Sequence, residues 1–308
     1  MNDTPDSRPH DHHRPREQGW LPIREVTRQT GVNAVTLRAW ERRYGLVVPQ
    51  RTAKGHRLFS PEHVQRILNI LTWLDRGVAV SQVKQLLDAT PASNEPATND
   101  WQLQRQRLTQ AIGQLAERKI DDAFNQAMAL YPPRTLCEHL LLPLLGELEQ
   151  RWQGRFGTQM ERVFFHTWLR SKLAVRVYHN NRQLQGAPLL LVNHAELPLE
   201  PHLWLSAWLA SNSDCPVEVF DWPLPPGELA LAADLLSARG VLLYASRSID
   251  PRQLPRQLAG LACPIFIVGP AVRIHRTELL ACTHTIADLH LAEDPLSAHQ
   301  ALIGRGLF

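Results

Sequence analysis

Apolar residues recur along these 308 residues with two different periods, and the change of period divides the chain. From Trp20 to Ala89 the period is helical. Two short segments flank Gly31, and a longer one carries Val64, Ile67, Leu68, Leu71 and Leu74 at steps of three and four. Ser60 before Pro61 gives that helix an N-cap and a preorganised first residue, and Arg76-Gly77 ends it. A further short helix is predicted through Val80, Val83, Leu86 and Leu87. Between the short helices and the long one, Arg51 to Phe59 reads as a tight β-ribbon turning at Lys54-Gly55. Thr90 to Thr98, rich in Pro, Ser, Asn and Thr, breaks the pattern as a linker does. From Trp101 to Gln185 four helical stripes follow: Leu108, Ile112, Leu115; then Phe124, Ala127, Leu130; then Leu141, Leu144, Leu145, Leu148, Trp152; then Phe164, Trp168, Leu173, Val177. Short turns separate them, which predicts a four-helix bundle. After Gly186 the period changes. The apolar runs Leu189 to Val192, Val217 to Phe220, Val241 to Tyr244 and Ile265 to Val268 alternate with helical segments, the pattern of βα units around a buried parallel sheet. Thr283 to Ile286 is the expected fifth strand and Pro295 to Leu307 the last helix.

Composition narrows the function classes. Hydrophobic residues make up 44% of the chain, enough for real cores, while a net charge of only +3 excludes a polycation that coats nucleic acid or membrane indiscriminately. No stretch approaches the ~18 continuous apolar residues of a membrane span, and the N-terminus is polar, so a soluble, cytoplasmic protein is expected. Cys137, Cys215, Cys263 and Cys282 lack CxxC or metal-type spacing. Residues 1–18 carry almost nothing apolar and are expected to be a disordered arm. His10, His12 and His13 within it have no fold around them to make a metal site, and no metal is expected.

Charge is local where it matters. Between Trp20 and Ser60 eight cations (Arg24, Arg28, Arg38, Arg42, Arg43, Arg51, Lys54, Arg57) face only Glu25 and Glu41, a local excess of six. Such an excess suits phosphates, because each one neutralised releases condensed counterions. Ile23 to Val26, then Thr30-Gly31-Val32, reads as the first helix and sharp turn of a helix-turn-helix, and Asn33 to Tyr44 as its recognition helix. Asn33, Thr36, Arg38 and Arg42 are candidates to enter a major groove, with Leu37 and Trp40 facing the core. The ribbon from Arg51 to Phe59, with Lys54 at its turn, would widen the phosphate footprint as a wing. Arg38-Ala39-Trp40-Glu41-Arg42-Arg43-Tyr44-Gly45-Leu46, Pro49, the wing and the Ser60-Pro61 start resemble the winged helix-turn-helix of MerR-family transcription regulators. That resemblance covers about 70 residues. It implies a dimer on a pseudo-palindromic promoter site, with Arg38, Arg42, Arg43, Tyr44, Arg51 and Arg57 at DNA-contacting positions.

The bundle and βα region resemble the cobalamin-binding module of the light-responsive branch of that family. In that module a bundle tryptophan, followed about ten residues later by Glu-His, forms an upper pocket, and a histidine in a His-x-x-Gly context ligates cobalt. Trp152 matches the tryptophan, but the later pair falls on Arg162-Val163 and the ligand position on Leu199. A shifted alignment nominates His194 or His202. The family's serine after the third strand falls on Tyr244 or Ser246, and of its Gly-Gly after the fourth only Gly269 remains, behind Val268. The expectation is a module kept as a fold and stripped of its cofactor, with no cofactor bound.

Other chemistries find less support. Cys215-Pro216 and Cys263-Pro264 resemble haem-responsive dipeptides, but each stands just before a predicted strand, where proline is ordinary. Neither a phosphate loop nor a nucleophile-base set with supporting context is present, so no enzyme is expected. The sequence therefore predicts a multidomain chain: a disordered arm (1–18), an α winged helix-turn-helix (19–90), a linker (91–100), a four-helix bundle (101–185) and a Rossmann- or flavodoxin-like α/β domain (186–308). Its expected function is that of a homodimeric repressor on double-stranded promoter DNA. The C-terminal half would dimerise or receive a signal from a protein partner, with Trp152 and the faces around His202 and Trp204 as contact sites. A cobalamin- or tetrapyrrole-sensing regulator is the alternative.

Overall fold

The computed structural model describes residues 19–88, 99–154, 156–194, 199–246 and 249–308. The expected disordered arm lies outside them, as does the expected linker except for residues 99 and 100, which are already helical. Contacts divide the chain into two compact units, Met1–Gln104 with Asp122–Thr135, and Arg105–Asp121 with Leu136–Phe308.

In the first unit β1 (Leu21–Pro22) leads into α1 (Ile23–Thr30), which stops at Gly31 in the left-handed conformation, φ 69°, where a side chain would be strained. Then α2 (Ala34–Ala39) continues through a π-helical turn, Trp40–Tyr44, to a second left-handed glycine, Gly45. The predicted ribbon is present as β2 (Gln50–Arg51) and β3 (Arg57–Phe59), antiparallel, with Arg51 opposite Arg57. The two-residue β1 pairs with the other side of β3, a third strand too short to show in the hydrophobic pattern. Ser60 caps α3 (Pro61–Asp75): its hydroxyl accepts the His63 N–H while His63 Nδ1 accepts the Ser60 N–H. After α3 comes α4 (Val80–Asp88). Val26, Val32, Leu37, Trp40, Phe59, Ile67, Ile70 and Leu74 form the buried interior.

This unit extends beyond the expected domain end. The start of α5 (Asn99–Gly113) and the later part of α6 (Glu117–Leu130) belong to it. Three aromatic side chains make the connection. Trp40 Nε1 donates to the Leu130 carbonyl (2.8 Å), Trp101 Nε1 donates to the Gly77 carbonyl (2.8 Å), and the Tyr131 hydroxyl accepts the Val80 N–H (3.3 Å). Each satisfies a backbone group that burial would otherwise leave unpaired.

The second unit holds the rest of α5 and α6, the end of α7 (Pro133–Leu136), its π-helical continuation Cys137–Leu141, α8 (Leu142–Trp152) and α9 (Thr158–Asn181). Its sheet has strands β4 (Leu189–Asn193), β5 (Val217–Phe220), β6 (Gly240–Tyr244), β7 (Ile265–Val268) and β8 (Leu289–Ala292), all parallel in the order β5-β4-β6-β7-β8. That is the flavodoxin-like order, as expected. The fifth strand is not Thr283 to Ile286. The Thr283 and Ile286 N–H groups bond the Leu280 and Cys282 carbonyls at a helix end and so cannot join a ladder. Between α9 and the sheet lies α10 (Pro201–Ser211), buried at every position except His202, as a helix apolar all round must be. The outer helices are α11 (Leu229–Leu235), α12 (Leu254–Gln257), α13 (Pro270–Ile274), α14 (Arg276–Cys282) and α15 (Pro295–Gly304), the last capped by Asp294.

Specific polar bonds fix bundle to sheet within this unit. The Asn181 amide donates to the Val217 carbonyl (2.7 Å) and accepts the Val217 N–H (3.1 Å). Asp221, after β5, pairs with Arg170 and accepts from Trp204 Nε1 (2.9 Å), while the Arg170 guanidinium lies over the Trp204 ring.

Candidate nucleic-acid interface and sensor site

The recognition helix presents one face outward. Val35, Arg38 and Arg42, at steps of three and four, are exposed, and Arg43 extends the basic surface. Asn33 and Thr36 take other roles than those expected. Asn33 caps the helix, its Oδ1 accepting the Thr36 N–H (2.8 Å). Thr36 is fully buried and its hydroxyl has no partner, so its side chain meets no groove. The cause is helical phase: Thr36, Leu37 and Trp40 form one inward stripe behind the half-buried cap Asn33, and Trp40 packs, as predicted, in the core. Tyr44 is half-buried at the helix end.

On the wing, Arg51 and Lys54 are exposed while Arg57 is half-buried. Glu41, which sequence reasoning counted only as a charge, bridges both wing arginines. Its Oε2 accepts from Arg57 Nε (2.5 Å) and its Oε1 from Arg51 Nη2 (3.1 Å). Burial acts to raise the Glu41 pKa, but these two bonds outweigh it and hold the carboxyl below its ordinary range. Val35 was likewise missed. It is an exposed apolar residue among cations, of the kind that meets a thymine methyl.

In the second unit Trp152 is buried, with a carboxylate and an imidazole beside it that do not stand at the expected offset. Arg162 turns to Glu149 (3.3 Å) and Val163 is exposed, but Glu161, one residue earlier, accepts from Trp152 Nε1 (3.2 Å) and from both arms of the Arg151 fork (3.0 Å each). His166 sets its ring edge-on to Trp152, centroids 5.4 Å apart. Its Nε2 is buried without a hydrogen-bond partner, 3.7 Å from Glu149. Burial, aided by the charge of Arg162, pushes the His166 pKa down to about 4.

At the β4–α10 connection the position aligned with the cobalt ligand, Leu199, is a backbone corner with φ 59°. The imidazole-bearing pair stands just beyond it. Glu200 caps α10 and bonds His202 Nδ1 (3.0 Å). Tyr244, at the end of β6, stacks on the His202 ring, 5.8 Å away and within 5° of parallel, and is 1% exposed. Beside it Gly269 is so close to the Ala245 carbonyl that a Cβ there would lie 2.5 Å from the oxygen. Trp152 and Trp204, expected to touch a partner, are both buried, and only His202 of that set is partly exposed.

A basic helix-turn-helix with a hairpin wing, followed by a helical bundle and a flavodoxin-order sheet, defines a DNA-binding regulator with an appended helical and α/β module. The chain belongs to the MerR family of helix-turn-helix regulators: residues 21–90 match the family described as MerR HTH family regulatory protein, and residues 104–176 match the B12 binding domain. The HTH-type transcriptional regulator MlrA of Escherichia coli (strain K12) is 31% identical over 226 residues, covering 73% of this chain and 88% of MlrA. MlrA of Salmonella typhimurium (strain SL1344) is 33% identical over 200 residues, 64% and 78% of the two chains. The HTH-type transcriptional repressor CarH of Myxococcus xanthus is 27% identical over 271 residues, 80% and 87%. These relatives are transcription regulators. Among the described residues no helix is long and apolar enough to cross a membrane.

Proposed function

We propose that this protein is a homodimeric, sequence-specific transcription repressor whose α/β module no longer takes cobalamin and serves instead for dimer contacts and for a signal delivered by another protein. Arg38, Arg42, Arg43, Arg51 and Lys54 supply the cationic DNA face, with Tyr44 at its margin. Asn33 shapes the face as a cap and Arg57 as a wing strut, while Thr36 packs beneath it.

One observation carries the reading of the module, the buried Tyr244 ring. In a flavodoxin-order sheet a ligand sits outside the carboxyl ends of the strands, at the switch between β4 and β6. There the resemblance expects a serine and a glycine pair to leave room for a nucleotide tail. Here the serine position falls on Tyr244 or Ser246 and Val268 stands ahead of the remaining Gly269; the Tyr244 ring, beside Val268 in the ladder, is packed on His202 with its tip 3.2 Å from where a Gly269 Cβ would stand. The residues present do not fit the group.

The Glu200–His202 pair favours the second reading, a cobalamin sensor, because a carboxylate on Nδ1 leaves Nε2 free to ligate a metal. Adenosylcobalamin added in the dark to purified protein separates the two. The expected result is no spectral change and no retained cobalamin after gel filtration. Stoichiometric binding that His202→Ala abolishes would establish the sensor instead.

A further inference from the structure

Two arginines stand directly opposite each other in the wing, Arg51 on β2 and Arg57 on β3. A like-charged cross-strand pair destabilises a hairpin, and this hairpin is only two and three residues deep, with little pairing to hold it. The carboxylate that relieves the repulsion comes from neither strand. It belongs to Glu41, in the π-helical turn that ends the recognition helix, and each of its oxygens takes one arginine.

The two arginines are not equivalent. The Arg57 side chain is 23% exposed against 52% for Arg51, and its bond to Glu41 is the shorter. Arg57 therefore acts as the strut between helix and wing, while Arg51 keeps donors turned to solvent. We infer that Glu41 is a positioning and specificity-determining residue for DNA binding: it locks the wing to the recognition helix, so that wing cations reach phosphates only in the register that seats Val35, Arg38 and Arg42 on their bases. The clamp also removes one unit of positive charge that any duplex would otherwise attract. Both effects favour operator over random DNA. The inference rests on the reading of helix and wing as the DNA face.

The test uses the full-length protein and two duplexes, one enriched by the wild type from a random-sequence pool and one a scramble of it. Affinities are measured for each across a salt series. For Glu41→Gln, which keeps size and removes charge, affinity for the scramble should rise severalfold with a salt slope steeper by about one. Affinity for the enriched duplex should fall about tenfold, so the ratio of the two drops by more than tenfold. Glu41→Asp, which keeps the charge and shortens the reach, should fall between. Arg57→Gln should lower the ratio while changing the salt slope by much less than one, as a strut rather than a phosphate contact. A ratio within twofold of wild type for Glu41→Gln, or a parallel loss on both duplexes with unchanged slope, overturns the inference. Failure of the wild type to enrich any sequence overturns the DNA-face reading itself, and the inference with it.

Discussion

Acidification should loosen the bundle through one side chain. His166 is packed on Trp152 with its Nε2 unpaired, and the charged groups facing it are Glu149 from α8, Arg162 on its own helix, and Glu200 and His202 around the start of α10. Burial first, then Arg162 and His202, lower its pKa from 6.5 to about 4, against an opposing pull from Glu200. In the unfolded chain the imidazole takes a proton near 6.5, while the folded protein refuses it until about 4. The unfolded state thus binds more protons throughout that window, and stability falls as pH falls. At up to about 1.4 kcal/mol for each pH step, the loss amounts to roughly 3 kcal/mol by pH 4 and vanishes above pH 7. Urea denaturation of wild type and His166→Gln at intervals from pH 7.5 to 4 isolates the effect, because other carboxylates titrate alike in both proteins. The stability difference between them should shift by roughly 3 kcal/mol in favour of the variant on acidification. A difference that stays flat to within about 0.5 kcal/mol would refute the assignment of an unprotonated, buried His166.

Trp40→Phe strands the Leu130 carbonyl and empties about 40 Å³ of core, and at about 1–3 kcal/mol for the unpaired group and roughly 1 kcal/mol for the cavity it should cost about 2–4 kcal/mol in chemical denaturation. Thr36→Val removes a buried hydroxyl that has no partner, so stability should hold or rise by up to about 1 kcal/mol with DNA affinity unchanged. Arg38→Ala and Arg42→Ala should each weaken operator binding by about 1–3 kcal/mol in gel-shift titrations. Ending the chain at Thr90 deletes Trp101, Leu130 and Tyr131, so the remaining fragment should melt well below the full-length protein and expose Trp40, read as red-shifted fluorescence.

Elements buried on both faces were legible because their pattern is unbroken. Three of the apolar runs, those that became β4, β6 and β7, lie in the interior of a parallel sheet and are buried throughout, while β5, at one edge, was legible from Val217, Val219 and Phe220 around an exposed Glu218. The edge strand β8 was not, since His290 interrupts Leu289 to Ala292 and survives there by stacking on Phe266 at 4.8 Å. Thr283 to Ile286, β-branched and more strand-like in composition, is claimed by helix-end carbonyls. A propensity for strand does not decide when the backbone donors are already spent. The extent of the first unit was hidden for another reason. Trp101, Leu130 and Tyr131 are phased as bundle residues, and only their hydrogen bonds to Gly77, Trp40 and Val80 show which core they complete.

The site residues divide along the same line, between what a one-dimensional pattern records and what it omits. Exposure of Arg38 and Arg42 follows from helical phase, and the same phase, applied to Leu37 and Trp40, already turns Thr36 inward. Period, not polarity, decides which way the Thr36 side chain turns. Glu41 carries no such signal, because its partners lie 10 and 16 residues away on a ribbon whose register the sequence leaves open. Around Trp152, counting residues to a fixed offset found Arg162 and Val163 and missed Glu161 and His166. An indole N–H needs an acceptor within bonding distance, and on this helix Glu161 supplies it, about 100° around the axis from Arg162. At Trp152 the acceptor is Glu161 and not the residue at the expected offset, while at the end of β6 the Tyr244 ring packs on His202. There the deciding quantity is volume: on the proposed reading, the buried Tyr244 ring stacked on His202 takes up the space a ligand would need, in a sheet whose topology is unchanged.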